Sequence, residues 1–281
     1  MIHEQIKLSV DGSLEYASLY TYIQDYSEEI GIKKRPMIIL CPGGGYEYTS
    51  DREAEPLAIA FLGMGVNVAV LRYSVAPAQF PTALKELALA VKTVRENAEK
   101  WHVDADKILV EGASAGGHLA ASLGCFWNKP FMSDIGKPEE IKPNGMILCY
   151  PVITAGEYTH EGSVIALSGK LTDASEFGEN DLIQFFSLEN QVTPDTPPTF
   201  IWSTFEDGCV PVQNTLMFAD ALRKNNVSTE LHVFAHGGHG LALANVLTNS
   251  PTGFEEQKEV AEWIGLAKKW LWANYPITTV Y

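Results

Sequence analysis

From about residue 36 onward the chain alternates short, β-rich apolar runs with stretches of helical periodicity, and this rhythm restricts the fold more than any other feature. The runs are Met37 to Leu40, Val66 to Leu71, Ile108 to Val110, Met146 to Leu148, Phe200 to Trp202 and Leu231 to Phe234. Between them, Leu84, Leu87, Ala88, Val91, Val94 and Ala98 fall at helical spacing after Pro81, and Val260, Ile264, Ala267 and Leu271 do the same near the carboxyl end. Parallel strands need helical crossovers, so the alternation predicts βαβ units: an α/β fold with a mostly parallel sheet covered by amphipathic helices. A third helix is expected over Gln213 to Lys224, closed by Asn225-Asn226, residues that tolerate the left-handed conformation. Earlier, Ile6 to Val10 and Glu15 to Tyr22 predict an antiparallel hairpin at the sheet edge around Asp11-Gly12.

The rhythm breaks between Ile153 and Pro198, a stretch rich in Gly, Ser, Thr and acidic residues that closes with Thr193-Pro194-Asp195-Thr196-Pro197-Pro198. We expect a small cap or lid there, with a short helix near Asp181 to Phe186, inserted into a single domain covering residues 1–281.

Twenty basic against 35 acidic side chains give a formal charge of −15, which would repel a polyphosphate backbone and argues against nucleic acid as a partner. Residues Met1 to Ser9 carry Glu4 and Lys7 in place of a signal-peptide apolar core, and no run reaches membrane-spanning length. The expectation is a cytoplasmic protein without a membrane partner. Cys41, Cys125, Cys149 and Cys209 lie far apart with no ligand spacing, so they read as reduced and mostly buried, without a metal.

The chemistry concentrates at strand ends. Ile108-Leu109-Val110 runs into Glu111-Gly112-Ala113-Ser114-Ala115-Gly116-Gly117-His118, a Gly-x-Ser-x-Gly sequence immediately before a helical pattern. A serine hydroxyl is a poor nucleophile unless it is presented on a tight turn beside a base, and small flanking residues permit that turn, so Ser114 is the candidate nucleophile. Beyond Phe200 to Trp202 comes Glu206-Asp207; Asp207 is the candidate carboxylate for orienting an imidazole, with Glu206 as the alternative. After the next strand, Ala235-His236-Gly237-Gly238-His239-Gly240 supplies two histidines, either of which could act as the base. Backbone donors for a developing oxyanion are offered by the glycines of Leu40-Cys41-Pro42-Gly43-Gly44-Gly45-Tyr46, with Gly44, Gly45 and the Ala115 N–H as candidates. This loop lacks the Lys-Ser/Thr of a phosphate-binding loop. His118, inside the elbow helix, and His232, on an alternating strand, read as structural.

Together the stretches PGGGY, GASAGGH, TPPTFIWSTFEDGCVPV and ELHVFAHGGHG resemble the short-chain carboxylesterases of the α/β-hydrolase superfamily, in particular the acetyl esterase and acetylxylan-esterase-like group, over roughly residues 35 to 245. The resemblance implies an eight-stranded sheet with helices on both faces and Ser-Asp-His chemistry without a cofactor. It also implies hydrolysis of small acyl groups, often acetyl, from sugars or other alcohols. That chain order, and the glycine flanks, favour His239 over His236 as the base. Pro42 stands where the hormone-sensitive-lipase pattern has a histidine, so that group's substrate range does not carry over.

Two rival readings stay open. One is a small peptidase of the prolyl-oligopeptidase type, although 281 residues leave no room for its large gating domain. The other is a non-catalytic carbohydrate-binding protein on the same fold. The expected partner is a small acyl ester, an acetylated sugar being one candidate, and homodimerisation is left open.

Overall fold

The computed structural model describes residues 1–250 and 256–279, and among these the strands form one nine-stranded sheet. The strands are β1 (Gln5–Lys7), β2 (Ser18–Tyr22), β3 (Ile32–Cys41), β4 (Asn67–Arg72), β5 (Val103–Ala113), β6 (Gly145–Cys149), β7 (Thr199–Thr204), β8 (Thr229–Phe234) and β9 (Thr278–Thr279). Their order is β1-β2-β4-β3-β5-β6-β7-β8, with β9 paired to the start of β3. From β4 to β8 all neighbours are parallel, while β1 and β2 add the antiparallel edge. All six predicted runs lie within or overlap β3 to β8.

The nine helices of the described residues are α1 (Glu55–Leu62), α2 (Thr82–Glu96), α3 (Ala115–Phe126), α4 (Pro138–Ile141), α5 (Glu161–Ser168), α6 (Leu182–Phe186), α7 (Gln213–Lys224), α8 (Lys258–Ala261) and α9 (Trp263–Asn274). The two-residue period of a strand sorts the core. Met37, Ile39 and Cys41 of β3 pack with Leu87 and Val91 of α2, Leu119 of α3 and Phe218 of α7. Ile38 and Leu40 face the other way, toward Phe61 of α1 and Trp263, Ala267 and Leu271 of α8–α9. Each such fully buried aliphatic or aromatic side chain contributes roughly 1.5–3 kcal/mol, so the sheet is held from both faces.

Three local expectations need correction. The predicted second hairpin strand begins only at Ser18, because Glu15 and Tyr16 lie in a turn closed by the Ala17 N–H donating to the Leu14 carbonyl at 3.1 Å, and the Leu14 N–H is itself held by Ser74 Oγ at 2.8 Å. The carboxyl-terminal helix is broken at Glu262 into α8 and α9. β9 adds a ninth strand to the expected eight.

The segment between β6 and β7 carries α5 and α6. Asp181 caps α6, its carboxylate accepting from the N–H groups of Ile183 and Gln184. Phe185 and Phe186 are buried against Phe80 and Phe126, with edge-to-face and stacked rings 5.1–6.4 Å apart. This aromatic cluster ties α6 to Phe80 and to α3.

Candidate active site

Five strands deliver side chains or backbone to one point beyond their carboxyl ends, the place where parallel sheets build sites. β5 ends at Ala113, and Ser114 makes the turn into α3 with φ 55° and ψ −120°. A side-chain-bearing residue in this region costs about 1–3 kcal/mol and persists only where its surroundings dictate it. The surroundings here are glycines. A Cβ at Gly112 would collide with the Gly116 carbonyl, and one at Gly116 would collide with the carbonyl of Cys41. The Ser114 N–H donates to the Cys149 carbonyl at 3.0 Å, and its own carbonyl accepts from Val152 and His118.

Ser114 Oγ lies 2.7 Å from His239 Nε2, and His239 Nδ1 lies 2.7 Å from Asp207 Oδ2. A carboxylate can only accept, so Nδ1 carries the proton and Nε2 is the free base facing the serine. The Asp207 side chain is fully buried, and its Oδ1 accepts from the N–H groups of Cys209 and Val210, each at 2.9 Å. The sequence alternatives are found with each other: His236 Nδ1 is 2.9 Å from Glu206 Oε1, an exposed pair outside this chain of contacts. The Glu206 side chain raises the His236 pKa through that hydrogen bond and its charge.

The loop after β3 folds against Ser114. Gly44 (φ 128°) and Gly45 (φ 66°) line the same cleft as Ser114 and His239, and none of the hydrogen bonds of the described residues uses the N–H of Gly44, Gly45 or Ala115. Gly44 must be glycine, since a Cβ there would strike the Tyr48 carbonyl. The cleft measures about 760 Å³ and carries Glu47, Thr49, Asp51, Arg52 and His160 among its lining residues. Among the described residues no group of three or more His, Cys, Asp or Glu side chains is placed to hold a metal ion, and no helix is long and apolar enough to cross a membrane. All four cysteines are unpaired; Cys209 alone is exposed, at the cleft edge.

Several site residues carry no motif and escape sequence reasoning. Tyr150 follows β6 with φ 38°, its ring 5.1 Å edge-on from the His239 ring. Its hydroxyl donates to Glu53 Oε1 at 2.8 Å and accepts from the Ala242 N–H at 2.9 Å. The other Glu53 oxygen accepts from the Gly43 N–H at 2.9 Å, so one buried carboxylate joins the glycine loop to the histidine loop. His160, at the start of α5, reaches the cleft from the inserted segment. Its Nδ1 contacts Ser163, and burial, together with the nearby His239, lowers its pKa.

Glu111 lies three residues before Ser114 and is fully buried. Cys149 Sγ donates to its Oε1 at 3.2 Å, while Oε2 has no partner. Burial pushes its pKa from 4.5 up to about 8, so the folded protein holds it protonated at neutral pH. Below about pH 4.5 both folded and unfolded chains carry this proton and it contributes nothing to the pH dependence. Between 4.5 and 8 only the folded chain keeps it, so its contribution to stability falls by about 1.4 kcal/mol per pH unit as pH rises. The Tm of Glu111→Gln relative to wild type is therefore expected to climb through that window. A Tm difference that stays flat with pH would refute a protonated Glu111.

The sequence profile of the BD-FAE family matches residues 25–222. The chain is 39% identical to endo-1,4-beta-xylanase B of Butyrivibrio fibrisolvens over 84% of its own length and 37% of that protein. It is 29% identical to an acetylxylan esterase of Xylanibacter ruminicola over 73% of its length and 41% of that protein. It thus spans less than half of either relative. Against the crystal structure of an acetyl ester-xyloside bifunctional hydrolase from Caldicellulosiruptor lactoaceticus the TM-score is 0.82 at 36% identity, covering 98% of this chain and 97% of that one. The family profile and the fold agree over most of the sequence, and they make this chain a member of the BD-FAE family with an α/β-hydrolase fold.

Proposed function

We propose that the protein is a carboxylic ester hydrolase that removes short acyl groups, acetyl foremost, from sugar or xylo-oligosaccharide alcohols through an acyl-enzyme on Ser114. The observation that carries the reading is the unbroken contact chain Ser114–His239–Asp207, with 2.7 Å at each link, beside unused backbone N–H groups. In the proposed reaction His239 Nε2 takes the hydroxyl proton as Oγ attacks the acyl carbon. The oxyanion is met by the N–H groups of Gly44, Gly45 and Ala115, and the same proton then leaves with the alcohol. Water reverses the roles and releases the acid. The alcohol side of the reading is supported by the hydrogen-bonding side chains of Glu47, Thr49, Asp51 and Arg52 in the cleft and by the acetylxylan esterase and acetyl ester-xyloside hydrolase among the similar proteins.

A fluorophosphonate probe is expected to label the wild type at the peptide containing Ser114. Acetylated xylo-oligosaccharides should release acetate, whereas aminoacyl amides should remain intact. Cleavage of the amides in preference to the esters would favour the peptidase reading. Carbohydrate binding with no labelling would favour a non-catalytic protein.

A further inference from the structure

His118 is the one fully buried imidazole on the elbow helix, and it takes no part in the serine–histidine–aspartate chain. On one side its Nε2 is 3.2 Å from the Phe186 carbonyl in the inserted segment. A carbonyl can only accept, so Nε2 bears the hydrogen. Nδ1 is then a lone pair, and it accepts from the Tyr46 hydroxyl at 3.0 Å, with Ser122 Oγ further off at 3.4 Å. Burial lowers the His118 pKa to about 4, so the ring is neutral and the tautomer is fixed by its two neighbours.

Tyr46 is the last of three consecutive residues with positive φ, following Gly44 and Gly45. For a tyrosine that conformation is disfavoured and must be imposed by what holds the side chain. Tyr46 is 2% exposed, its ring stands edge-on to Tyr73 and His118, and its carbonyl accepts from the Ala76 N–H at 2.8 Å. Tyr73 in turn donates its hydroxyl to the Pro42 carbonyl at 2.6 Å, fixing the other end of the same loop.

We propose that His118 is a positioning residue of the glycine loop: by binding Tyr46 on one face and the Phe186 carbonyl on the other, it fixes the backbone donors of Gly44 and Gly45 relative to Ser114. The inference rests on the ester-hydrolase reading above. It assigns the inserted segment a part in setting the loop and not merely in covering the cleft. The imidazole touches no substrate and lies outside the cleft, so its effect is carried entirely through Tyr46.

Backbone donors to an oxyanion act in the transition state more than in the ground state, so misplacing them lowers kcat and spares KM. Loss of one donor costs about 10²–10³-fold, and a displaced donor should cost less, about 10- to 100-fold. The test uses Tyr46→Phe, His118→Phe and the double variant with p-nitrophenyl acetate, kcat being normalised to the sites labelled by fluorophosphonate so that misfolded protein does not count. Each single variant is expected to lose about 10- to 100-fold in kcat with KM within about twofold, and to lose affinity for a trifluoromethyl ketone by a similar factor. The double variant should be no worse than the poorer single, because both break one linkage. His118→Asn, which keeps a donor and an acceptor, should recover part of the loss. Should His118→Phe fail to fold, Tyr46→Phe removes only the hydroxyl and carries the test alone. Unchanged kcat per labelled site with a lowered Tm would overturn the proposal, as would losses that multiply in the double variant. A wild type that neither labels nor turns over would instead overturn the hydrolase reading itself.

Discussion

Replacing Ser114 with alanine is expected to lower kcat for p-nitrophenyl acetate by about 10⁴- to 10⁶-fold while leaving KM within a few fold. The Oγ, 2.7 Å from His239 Nε2, is the one hydroxyl in that contact chain, and no thiol is placed to replace it. Cys209 is at the cleft edge, but burial and the nearby Asp207 raise its pKa, the wrong direction for a thiolate nucleophile. What remains in the variant is water attack assisted by the histidine and the backbone donors, which accounts for a residual rate above solution. Alanine keeps the Cβ and hence the φ of 55°, so the elbow should stay as strained as before and the Tm should move little. An alanine variant within tenfold of the wild type would remove Ser114 from the reaction.

How much of this could be read from residues alone depends on whether the physics is local. The elbow is legible because close approach of β3, β5 and α3 forces small residues into one contiguous stretch, Gly112 to Gly117. The strands β3 to β7 are legible because burial on both faces of their central stretches produces apolar runs without interruption; β8, at the sheet edge, has no fully buried residue, and its run is broken by His232. Choosing Asp207 over Glu206 is harder, since the two are adjacent acids. The structure separates them by direction: Asp207 turns inward to meet two backbone N–H groups, and Glu206 turns outward to His236. Glu53, Tyr150 and His118 are not legible as a group. Glu53 meets Tyr150, and His118 meets Tyr46, only because the sheet order carries loops from distant positions to one end. α5 is hidden for a local reason, since its cap is His160 and not one of the oxygen-bearing residues that announce a helix start. β9 is too short, at two residues, for any period to register.

Asp207→Asn gives the second large effect, and the structure dictates its form. In the wild type, Oδ1 accepts from the N–H groups of Cys209 and Val210 while Oδ2 faces the His239 Nδ1–H. An asparagine has one acceptor and one NH₂, and the two backbone donors require the acceptor on their side. The NH₂ must therefore face Nδ1, which becomes an acceptor, and the proton moves to Nε2. An imidazole protonated at Nε2 donates to Ser114 Oγ and cannot take its hydrogen, so kcat should fall by about 10⁴-fold although every atom stays near its place. KM and Tm should change little, which separates this variant from Asp207→Ala, where the Cys209 and Val210 N–H groups lose their buried partner and stability drops as well. Glu206→Gln serves as the paired control: the Glu206–His236 contact is exposed, and turnover should stay within about twofold. Equal losses in Asp207→Asn and Glu206→Gln would show that the carboxylate at 207 does not set the histidine tautomer.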